Sequence, residues 1–582
     1  MKKRVADIVV DTLLELGVSD TFCVVGGGSM HLNNAFDISE KMNVLYCHHE
    51  QACAMAAECY ARYKGTPAVV LVTSGPGGVN ALNGVYGAWV DSIPMIIIAG
   101  FPRYETSAIS TGLNLRCRGV QEFDIVTTVK TMTKYSQLVI DPEEVKEEIF
   151  KAYDIAMDGR RGPVWLSIPL DVQMAEIEDR NINHVPYHTD YKLEDITIQK
   201  VLSALKKAER PCILTGSGIY SSDATDRFLD FLRTVKLPIV GGALQADILP
   251  EGYDLYFGGS GSVGPRAGNF ILQKSDLILV LGNSMPTKQT GFNVKGFAPD
   301  AEIIMVDAEK DELKKPDLRI KYGIWCDLRI FFDRCLELLD GQALNADKEW
   351  VGYCQNIYDK YIGCDIPEAG DDDRIPAKLF WNEFRKKIPE DAIIVLGNSS
   401  SIVGILQLGK TSMQQRVLTN YNDGSMGYDL PAAIGAAIAS GREVYCVTGD
   451  GSLMMNLQEM ETIVFNKIPI KIVVFSNDGY GAIRQTCKNF FGGRYMGCDE
   501  ESGIGMPVFN KVAGAFGLAY LHCTRTSELN NIIDELLAFE GSIMMEINQR
   551  VNDPVIPRLV SKIGENGNYI TPVLTNMYPE LC

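Results

Sequence analysis

Three stretches of this chain repeat one pattern, in which short apolar runs rich in β-branched residues alternate with segments of helical periodicity. The first reads Val44–Cys47 as a strand, a helix from about Glu50, then strands at Ala68–Thr73 and Pro94–Gly100 with a helix between. In the second the strands are Cys212–Thr215, Ile239–Gly241, Leu277–Leu281 and Ile303–Val306. In the third they are Ile393–Leu396, Glu443–Thr448, Ile470–Phe475 and Ile543–Ile547. Mostly apolar strands separated by helices argue for parallel sheets covered on both faces. The expected fold class is therefore α/β, with three doubly wound parallel-sheet domains. A length of 582 residues suits three or four domains of about 100–200 residues. Expected boundaries are 1–180, 190–342 and 368–560, with a C-terminal tail at 561–582. Residues 176–196, polar and containing Pro186, and residues 340–374, with the acidic run Asp371–Asp373, read as linkers.

Charge narrows the function. The formal net charge is −19, which disfavours nucleic acid and anionic membrane surfaces as partners. A small anionic substrate is still compatible, because a local site can oppose the global field. The 15 cysteines contain no CxxC pair and read as buried free thiols of a reducing, cytoplasmic compartment. At the N-terminus, Val5, Ile8, Val9, Leu13 and Leu16 suggest an amphipathic helix. Asp7, Asp11 and Glu15 interrupt any signal-peptide core. No apolar run approaches the ~20 residues that span a bilayer.

The chemistry concentrates after the strand Glu443–Thr448. Gly449-Asp450-Gly451-Ser452 follows it, then a helical pattern from about Leu453 to Asn466, the strand Ile470–Phe475 and the loop Ser476-Asn477-Asp478-Gly479-Tyr480. This is one βαβ unit. Its strands should be parallel, so both loops leave the same sheet edge, where doubly wound sheets bind ligands. Magnesium prefers oxygen ligands and uses one or two carboxylates together with phosphates. Asp450 offers a carboxylate, Asn477 an amide oxygen and Gly479 a backbone carbonyl. Gly449 and Gly451 allow close backbone approach, and Ser452 at a helix start can donate to a diphosphate.

The stretch from Gly449 to Gln485 resembles the cofactor-binding motif of thiamine-diphosphate (ThDP) enzymes, in their acetolactate synthase-like branch. The family's Asn-Asn pair reads Ser476-Asn477, and its second Asn is the ligand. Resemblance extends over essentially the whole chain. It implies pyrimidine-binding, central Rossmann-like and diphosphate-binding domains, with ThDP and Mg2+ as cofactors. His48-His49-Glu50-Gln51 is similar to the segment carrying the activating glutamate, which implies that Glu50 shares a proton with the pyrimidine ring. Neither histidine is assigned a catalytic role. Thr73–Asn80 resembles the TSGPGxxN signature. Gly424-Ser425-Met426-Gly427-Tyr428 resembles the GxMG segment, so Gly424 and Met426 are implied to hold the aminopyrimidine and bend the cofactor. Asn398–Ser401 occupies the second diphosphate loop, with Ser400 and Ser401 as candidates. Val120-Gln121-Glu122 resembles the FQE segment, which makes Gln121 a candidate for orienting substrate. In this family the counterparts of Glu50 and Asp450 in one site come from different subunits, which implies self-association as a dimer or tetramer.

Two departures concern the acceptor. In the segment Gly282–Gly291, Ser284 replaces an arginine expected to pair with the carboxylate of a second 2-oxoacid, and Thr486 stands where the synthases carry tryptophan. Losing a charged bidentate partner should cost several kcal/mol. The segments Gly261–Asn269, Lys288–Asn293 and Val551–Lys562 further resemble acetolactate synthase-like proteins of bacterial surface-polysaccharide gene clusters. The expected reaction is decarboxylation of a 2-oxoacid, pyruvate foremost, with carboligation to a carbonyl acceptor such as a keto-sugar nucleotide. Acetolactate synthase and simple decarboxylase stand as alternatives, and a non-catalytic ThDP-binding subunit as another class. FAD, a structural passenger in many acetolactate synthases, stays open, with the altered central motif against it.

Overall fold

Strands apolar on both faces become stable only when helices cover both sides of the sheet, and three such sandwiches are present. A computed structural model describes residues 2–242, 247–249, 252–367, 374–408, 414–564 and 566–581. The first sheet contains β1 (Asp20–Cys23), β2 (Asn43–Tyr46), β3 (Val69–Val72), β4 (Met95–Phe101), β5 (Tyr135–Leu138) and β6 (Pro163–Pro169). All are parallel, in the order β2-β1-β3-β4-β6-β5. The second has β7 (Pro211–Thr215), β8 (Ile239–Gly241), β9 (Tyr256–Gly259), β10 (Leu277–Leu281), β11 (Glu302–Asp307) and β12 (Ile320–Trp325), in the order β9-β8-β7-β10-β11-β12. That is the 3-2-1-4-5-6 arrangement of dinucleotide-binding folds. The third has β13 (Ile393–Leu396), β14 (Arg416–Leu418), β15 (Val444–Gly449), β16 (Ile470–Ser476), β17 (Ala519–Cys523) and β18 (Ile543–Asn548), in the order β14-β13-β15-β16-β18-β17. The outer two sheets thus share one strand order, which the central sheet does not.

The outer units meet through helices rich in small residues. Helix α1 (Glu50–Lys64) starts after His49, whose ring accepts from the Gln51 N–H at 3.0 Å, and stops at Gly65, where φ is +80°. Helix α2 (Pro76–Asp91) packs beside it. Helix α3 (Ser400–Gln407) follows β13, and α4 (Asp429–Ser440) packs on α1. Side chains are nearly absent at that crossing: a Cβ on Gly435 would lie 1.9 Å from the Ala56 carbonyl oxygen. Next to it, Tyr428 donates to Glu58 at 2.6 Å, and the half-buried Arg62 pairs with both Glu58 and Asp91.

Two expectations need correction. The helix read as Leu453–Asn466 is two pieces, α5 (Asp450–Leu453) and α6 (Glu459–Phe465). Tighter i→i+3 turns between them let the Asn456 amide donate to the Gly427 carbonyl at 2.7 Å. The stretch read as a linker from 340 contains the helix Lys348–Tyr361, held to the central sheet by the Trp350 indole, which donates to the Pro211 carbonyl at 2.9 Å. The central unit therefore runs past 342. The tail after 561 packs on the central unit. Leu574 and Met577 are buried, and Arg266 donates to the carbonyl oxygens of Met577 (3.4 Å) and Pro579 (2.6 Å). The acidic run Asp371–Asp373 lies outside the described residues. The N-terminal helix is present at Val5–Glu15. No disulfide joins the described cysteines, and no helix among the described residues is long and apolar enough to cross a membrane.

Candidate active site

Strands β15 and β16 pair in parallel, with Gly449 opposite Phe475, so the loops after them emerge side by side. Asp450, almost fully buried, accepts at Oδ1 from the Gly451 N–H (2.7 Å). Its Oδ2 accepts from the N–H groups of Asn477 (2.9 Å) and Gly479 (3.0 Å). Burial pushes its carboxyl up to about 6, against the pull of those three backbone donors. The loop is tight. At Gly479 φ is +132°, and a Cβ would meet the Cys498 carbonyl oxygen at 2.2 Å. At Gly451 the ring of Tyr480 would stand 2.1 Å from a Cβ. Asp450, Asn477 and Gly479 are thus brought together. One carboxylate, one amide oxygen and one backbone carbonyl on a single sheet edge form an all-oxygen donor set that fits Mg2+, with phosphate and water completing the octahedron.

A second group adjoins the first. The Asn398 amide donates to the carbonyls of Gly424 (2.8 Å) and Ser425 (2.9 Å). Gly424 and Gly427 have φ of +66° and +82° and carry the half-buried Met426 between them. The Ser452 hydroxyl accepts from the Gly427 N–H at 2.8 Å and donates to Asp429 at 2.7 Å. It braces the Gly424–Tyr428 loop from inside, so its expected donation to a diphosphate is taken by a protein partner. Ser401 likewise donates inward, to the Asn398 carbonyl at 2.7 Å. Ser400 is half-buried, and its hydroxyl accepts from Gln549 at 2.9 Å. Of the two serines it is the one with a hydroxyl proton not engaged by the protein among the described residues.

Glu50 opens α1, buried, with Oε2 accepting from the Asn80 amide at 2.9 Å. Across from it lies Gly77, where a Cβ would sit 3.2 Å from Glu50 Oε1. Gly75 has φ +60°, and a Cβ there would meet the Gln121 carbonyl oxygen at 2.2 Å. The Thr73–Asn80 turn therefore sets Glu50 and Gln121 on one side of the first domain, with Gln121 exposed at φ +53°. Beside it the Glu122 carboxylate gathers backbone N–H donors from Ala108 (2.7 Å), Ile109 (3.3 Å), Arg118 (3.1 Å) and Gly119 (2.8 Å). Its burial would raise the carboxyl, but those donors together hold it below the usual glutamate value. Among the described residues no hydrogen bond links the Glu50 group to the Asp450 group. Within the chain they are related through the α1–α4 contact.

The two altered positions lie apart. Ser284 lines the cleft of the central domain with Gly218, Gly282, Asp307 and Asp327, its carbonyl taking the Lys315 ammonium. Lys288 instead reaches the other domain, donating to the carbonyls of Tyr421 and Asn422, close to Gly424. Burial lowers its ammonium pKa against the attraction of Asp91 and Asp423. Thr486 is exposed on α7 (Gly481–Phe490), its hydroxyl on the Ala482 carbonyl at 3.1 Å.

Sequence reasoning named Asn80 and Asn398 only as ends of motif segments and gave Arg484 and Gln549 no role. Gln549 directly follows β18, a strand recognised from its apolar run, so the rule that ligands gather at strand C-termini would have found it. Arg484 carries no such signal, because it stands inside a helix.

Comparison with known proteins agrees with this geometry. Sequence models described as "Thiamine pyrophosphate enzyme" match in three places: the N-terminal TPP binding domain at residues 3–126, the central domain at 198–335 and the C-terminal TPP binding domain at 399–547. The acetolactate synthase isozyme 2 large subunit of Escherichia coli (strain K12) is 31% identical over 551 residues, covering 93% of this chain and 95% of that protein. The chain belongs to the acetolactate synthase-like ThDP enzymes. Other relatives of this family include the isozyme 1 large subunit of the same organism, 29% identical over 562 residues, 95% of each chain. A probable acetolactate synthase large subunit of Methanocaldococcus jannaschii is 28% identical over 586 residues, covering 98% of this chain and 95% of its own. As a member of the family the chain is an enzyme that uses thiamine diphosphate.

Proposed function

We propose that this enzyme decarboxylates a 2-oxoacid, pyruvate foremost, and ligates the acyl unit to a carbonyl acceptor other than a second 2-oxoacid, a keto-sugar nucleotide being the favoured class. When bound, ThDP would supply a nucleophilic carbon and a cationic ring that takes up the electron pair left by decarboxylation. The chain's part is binding, orientation and proton placement. Asp450, Asn477 Oδ1 and the Gly479 carbonyl would hold Mg2+, and Ser400 with the backbone amides at the start of α5 would donate to the diphosphate. Gly424 and Met426 grip the pyrimidine. Glu50, held by Asn80, places a proton at the pyrimidine ring, and Gln121 orients the substrate. In line with the family resemblance, the reading includes a dimer or tetramer in which a second copy supplies Glu50.

One observation carries the choice of reaction. The cofactor residues are intact, while Ser284 and Thr486 lack the charge and the ring that would read a second 2-oxoacid. Purified enzyme with ThDP, Mg2+ and pyruvate should release carbon dioxide when a keto-sugar nucleotide is added, giving a branched product identified by mass. Fast formation of acetolactate or acetaldehyde from pyruvate alone would establish the rival reading. That rival draws support from Lys288, whose ammonium faces the Gly424 loop and could attract a carboxylate. FAD forms no part of the proposed reaction. In the central cleft a Cβ on Gly216 or Gly218 would strike Gly282 at 2.2 or 2.6 Å, so packing alone accounts for these glycines.

A further inference from the structure

An amide ligand binds a metal only through oxygen, so a site that relies on asparagine must specify which arm of the carboxamide is which. Asn477 is held from both sides. Arg484, buried within α7, donates through Nη2 to Asn477 Oδ1 at 3.0 Å and to the Asn477 backbone carbonyl at 2.6 Å. Further Arg484 bonds run to the carbonyls of Asp478 (3.2 Å), Cys498 (3.3 Å) and Val551 (3.0 Å). A guanidinium can only donate, so the arm of Asn477 that it touches must be oxygen.

The other arm, Nδ2, donates to Gln549 Oε1 at 3.0 Å. Gln549 is completely buried, and its own orientation is fixed in turn: Nε2 donates to Asp553 Oδ2 at 3.2 Å and to Ser400 Oγ at 2.9 Å. Asp553 Oδ2 already accepts the Ala377 N–H at 2.7 Å, so it acts as an acceptor. The relay therefore has a donor-only end at Arg484 and an accepting end at Asp553. Neither amide between them can flip without opposing two donors or two acceptors in a buried place, at the full cost of an unmade hydrogen bond on each side.

We infer that Arg484 and Gln549 are positioning residues of the metal site. They lock the Asn477 carboxamide so that its oxygen takes the cation, and through Ser400 they set the metal loop and the diphosphate loop in register. This inference rests on the reading of Asp450, Asn477 and Gly479 as Mg2+ ligands. It extends that reading to two residues that touch neither metal nor cofactor.

The test is calorimetric titration of Mg2+ into the full-length chain at saturating ThDP, alongside thermal melting without either. Gln549→Met keeps the volume and removes both polar arms. The Mg2+ dissociation constant should rise about 10–100-fold, the range found for partners that orient metal ligands. The preference for Mg2+ over the more tolerant Ca2+ should shrink, because Mg2+ demands near-ideal octahedral geometry. Arg484→Lys keeps the charge without the fork and should shift both quantities in the same direction, and it serves as the reporter if Gln549→Met does not fold. Folded variants with Mg2+ affinity within about twofold of the parent would overturn the relay while leaving the ligand assignment standing. A parent chain whose ThDP binding ignores Mg2+ would overturn the ligand assignment itself.

Discussion

Asn477 donates its backbone N–H to Asp450 Oδ2 at 2.9 Å, joining two candidate metal ligands from successive strand ends through the protein's own main chain. The carboxylate is thereby aimed before any cation contributes. Replacing it by an amide opposes the amide N–H2 to backbone donors and removes the anionic side chain from the proposed ligand set. Asp450→Asn should weaken Mg2+-dependent ThDP binding at least about 100-fold, beyond the loss seen for orienting partners alone. Titration of ThDP at fixed Mg2+, followed by circular dichroism, measures it.

Glu50→Gln retains an oxygen to accept from Asn80 and loses the exchangeable proton. Exchange of the C2 proton of bound ThDP should slow by about 10²–10⁴-fold, the usual worth of a positioned acid–base group. Rapid-quench NMR in deuterated buffer reads this directly. Equal exchange in both proteins would remove Glu50 from the proposed mechanism.

Gly75 has φ +60°, and the Gln121 carbonyl stands where its Cβ would be. Gly75→Ala should destabilise the first domain by about 1–3 kcal/mol through backbone strain and push Gln121 out of place. We expect a lower midpoint in chemical denaturation together with a raised KM for the 2-oxoacid. A mutant with native stability and native KM would contradict this account of the turn.

Glu122 gives the 102–123 segment a pH dependence. Its backbone donors hold its folded pKa below the ordinary glutamate value, so its stabilising effect is complete above that ordinary value and is lost as pH falls through the folded pKa. Hydrogen exchange at the amides of Ala108 and Gly119 should be slow from pH 7 to about 5 and accelerate in more acidic solution. In Glu122→Gln the same amides should exchange faster at neutral pH and show no such acid step.

Fold class and three sheets were legible because the central strands are apolar on both faces. Five of the strands that sequence reading passed over, at Tyr135–Leu138, Tyr256–Gly259, Ile320–Trp325, Arg416–Leu418 and Ala519–Cys523, are edge strands. An edge has a neighbour on one side only, and Tyr135–Leu138, Ile320–Trp325 and Ala519–Cys523 are largely part-exposed, which weakens the apolar signal; Tyr256–Gly259 is mostly buried but half glycine, and Arg416–Leu418 is only three residues long. Asp20–Cys23 and Pro163–Pro169 are internal but begin with Asp-Thr or are bracketed by proline. In the site, Asp450, Asn477 and Gly479 could be placed from the βαβ rule alone. The inward turn of the Ser452 and Ser401 hydroxyls could not, because it depends on Gly427, Asp429 and Asn398, which reach those serines only through tertiary packing. Gln549 and Arg484 escaped notice for the same reason.

The first and third sheets thread six strands in the same order, and the sheet between them does not. A ligand with two chemically different ends is therefore met by two versions of one architecture. That is the outcome expected if an ancestral unit was duplicated, one copy becoming the reader of a heteroaromatic ring and the other the reader of a charged tail, with an unrelated module spliced between them. On that history the two halves began as interchangeable surfaces, and the division of labour arose afterwards by divergence at different strand ends, Glu50 following the second strand of its unit and Asp450 the third of its own.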